Sequence, residues 1–98
     1  MTEPRIQQQG DHWVISGDLI FDTVPGLLEQ SHALMGKGCQ CQADLAGVDE
    51  MDSAGLGLLL EWLRDARASG GDIHFRNIPE NIMSMARVCG LEPILKQA

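Results

Sequence analysis

Apolar residues recur with the clearest period between residues 53 and 68. Leu56, Leu59, Leu60 and Leu63 fall at i, i+3, i+4 and i+7, the stripe of a helix with one buried face. Leu58 lies off this stripe. At about 100° per residue it points nearly opposite, with Trp62 one turn later on the same side and Glu61 and Asp65 in the same outer region. Two readings follow. Trp62 lies sideways over a sheet edge, or Leu58 and Trp62 form a docking patch, because an apolar pair that includes Trp is a typical interface anchor.

The remaining pattern predicts alternating strands and helices. Trp13–Ser16 and Leu19–Phe21 read as two short strands with Gly17-Asp18 as the turn between them. Asp22 or Thr23 caps a helix with Pro25 in its first turn, and Val24, Leu27, Leu28, Ser31, Leu34 and Met35 form its stripe until Gly36 and Gly38 stop it. Cys39, Cys41, Ala43 and Leu45 alternate with Gln40, Gln42 and Asp44, a strand with one buried side. Gly47 to Asp52 reads as a loop. The helix from about Ser53 to Ala68 ends at Ser69-Gly70-Gly71. Asp72 to Ile78 is a further strand with Ile73 and Phe75 inward. Pro79 opens a third helix with Ile82, Met85, Ala86 and Cys89 buried, and Gly90 supplies its left-handed stop.

The predicted order is β-β-α-β-α-β-α. Its β-α-β crossovers require parallel neighbours, so the fold class is α/β with a mixed sheet and helices mainly on one face. The 98 residues fit a single domain over 1–98, with residues 1–10 as a polar lead-in and 92–98 as a short tail.

Composition narrows the function. A net charge of −7 argues against binding a nucleic-acid backbone or an anionic membrane surface, and it suits a basic protein partner. The first ten residues lack the apolar core of a signal peptide, and no apolar run approaches the roughly 20 residues of a membrane span. Cys39, Cys41 and Cys89 lack zinc spacing and are expected to be reduced thiols. Cys39 and Cys41, two apart on one strand, lie too far from each other for a comfortable disulfide. An enzyme is disfavoured: His12, His32 and His74 lie on separate segments, and nothing identifies a base that would activate Ser53. Without a glycine-rich phosphate loop carrying Lys, the chain is not expected to bind ATP. No cofactor or metal is expected.

The candidate chemistry sits in Asp52-Ser53-Ala54-Gly55-Leu56, where an acid and a hydroxyl meet a helix start. The first N–H groups of a helix lack internal partners and carry partial positive charge. Ser53 therefore reads either as a cap or as a phosphosite with close to two negative charges when modified.

The run from Asp44 to Gly57, with Asp52-Ser53-Ala54-Gly55-Leu56 at its centre, resembles the signature of STAS domains, the domain type of sulfate transporters and anti-sigma factor antagonists. Asn77-Ile78-Pro79-Glu80-Asn81 and Cys89-Gly90-Leu91 fit the family's final strand–helix section, so the resemblance covers about residues 12–95. It implies a sheet of four or five strands backed by helices, in a binding module without catalytic machinery. In the antagonists the hydroxyl residue after the Asp, here Ser53, is phosphorylated by a partner kinase. The next residue there is usually Ser or Thr; here it is Ala54. The chain is also similar to the short, free-standing STAS subunits of phospholipid-transport ABC systems. That resemblance implies a cytoplasmic protein, peripheral to the inner membrane, that contacts the ATPase subunit and through it the permease. The implied contact uses Asp52, Ser53, Ala54, Leu58, Glu61, Trp62 and Asp65.

Overall fold

The computed structural model describes residues 3–95. The elements are β1 (Arg5–Gln9), β2 (His12–Leu19), α1 (Val24–Leu34), β3 (Gln40–Met51), α2 (Ser53–Ala68), β4 (Asp72–Arg76), α3 (Glu80–Val88) and α4 (Glu92–Leu95). The sheet order is β1-β2-β3-β4. The hairpin β1–β2 is antiparallel, and the β2–β3 and β3–β4 pairs are parallel, crossed over by α1 and α2. This is the expected mixed sheet.

One sheet face is the core. Trp13, Ile15, Cys41, Ala43, Leu45 and Ile73 pack there with Leu27 of α1, Leu59 of α2 and Ile82 of α3. On the other face His12, Val14 and Gln42 are exposed. The helices therefore form one layer over one side of the sheet.

Several boundaries differ from expectation. The segment expected as a polar lead-in contains β1, paired along its length with β2. Its only apolar residue is Ile6, opposite Ile15, so it carries no alternation. The hairpin turn is Gly10-Asp11, a two-residue loop with glycine first, and not Gly17-Asp18. Trp13 through Leu19 is one strand. Gly17, at φ 85°, marks an irregularity where the register with β3 slips between Gly17 and Leu19.

The expected loop from Gly47 to Asp52 is mostly strand, since β3 runs to Met51 and pairs Ser16 with Gly47 and Leu19 with Met51. Buried Asp18 holds this stretch by accepting the Glu50 N–H at 3.2 Å. The last strand stops at Arg76, short of Ile78. There Asn77 turns the chain at φ 59°, and its amide donates to Asp44 Oδ1 at 2.8 Å.

Two cysteine expectations fail. Cys39 lies outside β3, where its N–H donates to the Gly36 carbonyl, so it is not a strand neighbour of Cys41. The two sulfurs lie against each other, with Cα atoms 5.6 Å apart. Cys89 follows the last residue of α3 and is exposed, not part of its buried stripe of Ile82, Met83 and Ala86.

The Asn77 amide, with the Ala46 N–H and then Arg76, holds the Asp44 carboxyl below its ordinary value of 3.8. A carboxylate depressed on folding stabilises the fold above its unfolded pKa and loses that contribution as pH falls through the folded value. Asn77→Gly keeps the left-handed backbone and deletes the amide. The expected result is a rise of the Asp44 pKa toward 3.8, read by NMR titration, with acid unfolding beginning at higher pH. An unchanged Asp44 titration would contradict the assigned cause.

Candidate functional site

The site lies at the carboxyl ends of β2 and β3, where α2 begins. Asp52 is the N-cap of α2. Its Oδ1 accepts the Ala54 N–H at 2.9 Å and the Gly55 N–H at 3.3 Å. Its Oδ2 accepts the Phe21 N–H at 3.1 Å, and its own N–H donates to the Leu19 carbonyl. One carboxylate therefore closes the first turn of α2 and ties it to the β2–α1 loop. Asn81 adds α3 to the cluster, donating to the Met51 carbonyl at 3.0 Å.

Gly55 permits the close seat of this turn. A Cβ there would lie 2.6 Å from both the Leu19 carbonyl oxygen and Met51 Cγ. The glycine of the Asp-Ser-Ala-Gly-Leu run is thus a packing requirement of the helix start. Gly57 differs: a Cβ there meets nothing within 4 Å.

With Asp52 serving as the cap, Ser53 is the first helical residue and is exposed. The hydroxyl is not needed to start the helix. Ser53, Gly57, Glu61 and Arg64 follow one another at helical spacing along the outer side, with Glu61 half-buried and paired with Arg64 at 2.9 Å. Ala54 is half-buried at the edge of this strip.

Leu58 and Trp62 do not belong to the surface. They are 1% and 0% exposed, which corrects the expected apolar pair on the outside. The reason is that α2 has covered flanks. His32 of α1 lies 3.6 Å from Asp65, which puts α1 along the side where Leu58 and Trp62 project. The buried arc is wider than a single-stripe reading allows. Trp62 crosses Trp13 of β2 edge-to-face, with centroids 5.6 Å apart at 88°. Neither indole N–H has a hydrogen-bond partner among the described residues, so the pair contributes through packing. Of the seven residues expected at an interface, Asp52, Ser53, Ala54 and Glu61 share the α2 start and outer strip, Asp65 faces α1, and Leu58 and Trp62 are core.

Sequence reasoning missed Phe21. The sequence pattern places it at the end of a short strand, but it sits in a loop after β2 and is 78% exposed. No local periodicity distinguishes the two. The same end carries a groove of about 470 Å³ lined by Ile20, Asp49, Glu50, Asp52, Pro79 and Asn81. Asp22, Asp49, Glu50 and Asp52 have no basic ion-pair partner among the described residues. Those residues also contain no group of three or more His, Cys, Asp or Glu that could hold a metal, and no helix long and apolar enough to cross a membrane.

The family model described as Mlab, STAS domain, matches residues 3–96. The intermembrane phospholipid transport system binding protein MlaB of Escherichia coli (strain K12) is 30% identical over 84 residues, covering 86% of this chain and 84% of that protein. The anti-sigma-B factor antagonist of Bacillus subtilis (strain 168) is 27% identical over 81 residues, covering 83% and 74%. Among solved structures, a chain of the Acinetobacter MlaFEDB complex in an ATP-bound conformation aligns at TM-score 0.79 and 22% identity, over 96% of this chain and all of that one. The anti-sigma factor antagonist SpoIIAA in its phosphorylated form aligns at 0.69 and 21%, over 92% and 86%. At these identities the structural likeness establishes the fold.

Urea unfolding separates the buried from the exposed positions. Trp62→Ala is expected to cost about 3–5 kcal/mol, as for an aromatic removed from a core. Ser53→Ala should change stability by less than about 0.5 kcal/mol. Near-wild-type stability for Trp62→Ala would return Trp62 to the surface.

Proposed function

This chain belongs to the STAS domain family, and on that premise we propose that it is a non-enzymatic accessory subunit of a phospholipid-transport ABC complex. It binds and supports the ATPase subunit from the cytoplasmic side of the inner membrane, and so serves outer-membrane lipid asymmetry. The reading draws on the family model and on the relative named for intermembrane phospholipid transport. The contact is assigned to Ser53 and Gly57 with Glu61 beside them.

One observation carries the choice of surface. Gly57 occupies an exposed helical position where a side chain has open space. Glycine in a helix costs about 1 kcal/mol relative to alanine, and the fold gains nothing from it at this place. A bare strip one turn from a freed hydroxyl lets a partner backbone approach α2 closely. A carboxylate at residue 53 is tolerated at the helix start in the free protein. Inside a packed interface it loses its water and becomes a buried unpaired charge, costing several kcal/mol.

A second reading has its own support. Ser53 is exposed, at a helix N-terminus, and the chain is similar to an anti-sigma-B factor antagonist. In that reading Ser53 carries phosphate and the partner is a kinase of the sigma-factor circuit. Its signature is phosphate on Ser53 in protein isolated from cells, with a sigma factor switched when it is removed.

Co-purification with an ABC ATPase and permease of the same organism tests the first reading. Gly57→Gln replaces glycine with a helix-forming residue, so the free protein should be at least as stable as wild type. Its affinity for the ATPase should fall by about tenfold or more. Wild-type affinity in this variant would move the contact off α2, and failure of the wild-type chain to enter any complex would end the transporter reading.

A further inference from the structure

We propose that Phe21 is the anchor of this contact, seated in an apolar pocket of the ATPase subunit whose rim carries Lys or Arg side chains. The inference rests on the reading of the α2 face as the ATPase contact and adds the chemistry of what receives it.

The loop holds Phe21 outward. Ile20 is locked in a turn: its carbonyl accepts the Thr23 and Val24 N–H groups, and its N–H donates to Thr23 Oγ1 at 3.0 Å. The Phe21 N–H is bound by Asp52, the residue that caps α2 and precedes Ser53. The aromatic ring therefore projects from a fixed backbone continuous with the Ser53 strip. An anchor presented this way loses little loop entropy on binding.

Charge selects the occupant. Asp22, Asp49 and Glu50 are exposed around this end, and none has a basic partner among the described residues. A cationic rim on the partner meets them while the ring fills an apolar centre, the arrangement in which aromatic side chains carry binding energy. Val88 shows the contrast. It is 89% exposed, yet it sits at the far end of α3, where the neighbouring Arg87 already pairs with Glu80 and Glu92. Exposure of an apolar side chain is common to both places; of the two, the acidic groups near Phe21 have no ion-pair partner among the described residues, whereas Arg87 beside Val88 is paired.

The test titrates purified ATPase subunit with the full chain at about 50 and 300 mM salt, which brackets a large change in screening length. Phe21→Ala is expected to weaken binding about tenfold at both salts, with unfolding unchanged. Asp49→Asn with Glu50→Gln should weaken binding at low salt and flatten its salt dependence. Val88→Ala should bind as wild type. If wild type binds and Phe21→Ala binds within about twofold of it, the anchor is refuted while the transporter reading stands. A wild-type affinity that does not fall with salt refutes the cationic rim. If wild type does not bind the ATPase at all, the reading and the inference fall together.

Discussion

The Asp52 carboxylate is the constraint on which the site depends. Its two oxygens take three backbone N–H groups from two segments far apart in sequence: Phe21 from the β2–α1 loop, and Ala54 and Gly55 from α2. Unpaired, the Ala54 and Gly55 N–H groups would be orphan donors at a helix start. With the carboxylate in place the helix begins at one defined residue, and the loop before α1 is fixed to it. Two consequences follow for the surface. Ser53 is released from capping, and the backbone of Phe21 is held outward beside it.

The two glycines of this helix start differ in what the fold asks of them. Gly55 is required by close contact with Leu19 and Met51. Gly57, on the outer strip one turn after Ser53, is not required by any contact and weakens the helix. A motif that looks uniform in sequence therefore contains one position set by internal packing and one that no internal contact requires. This asymmetry is what supports the proposal of the outer strip of α2 as a partner face, and the acidic end of the sheet is continuous with it.

Much of this was legible beforehand, for physical reasons. The boundaries of α2 follow from a leucine stripe bracketed by Asp52-Ser53 and Ser69-Gly70-Gly71, and the mixed sheet follows from the β-α-β order. What escaped had no one-dimensional signal. β1 pairs through its backbone with only Ile6 facing the core, so its sequence looks like a tail. The second half of β3 carries Asp49 and Glu50 because β4 does not extend beside it, and exposure there gives the composition of a loop. Leu58 and Trp62 looked exposed because a helical wheel assumes one buried stripe, whereas α1 covers a second side of α2. The choice between Asp52 and Ser53 as cap is decided by backbone geometry, which two adjacent capping residues do not reveal.

The central claim is that one carboxylate holds both segments, and amide hydrogen exchange on Asp52→Ala tests it most directly. Protection of the Phe21, Ala54 and Gly55 amides should fall together in this variant, while Ser53→Ala leaves all three as in the wild type. If Phe21 stays protected when Ala54 and Gly55 open, the loop is held by something other than Asp52, and the link between the helix cap and the presented ring is wrong.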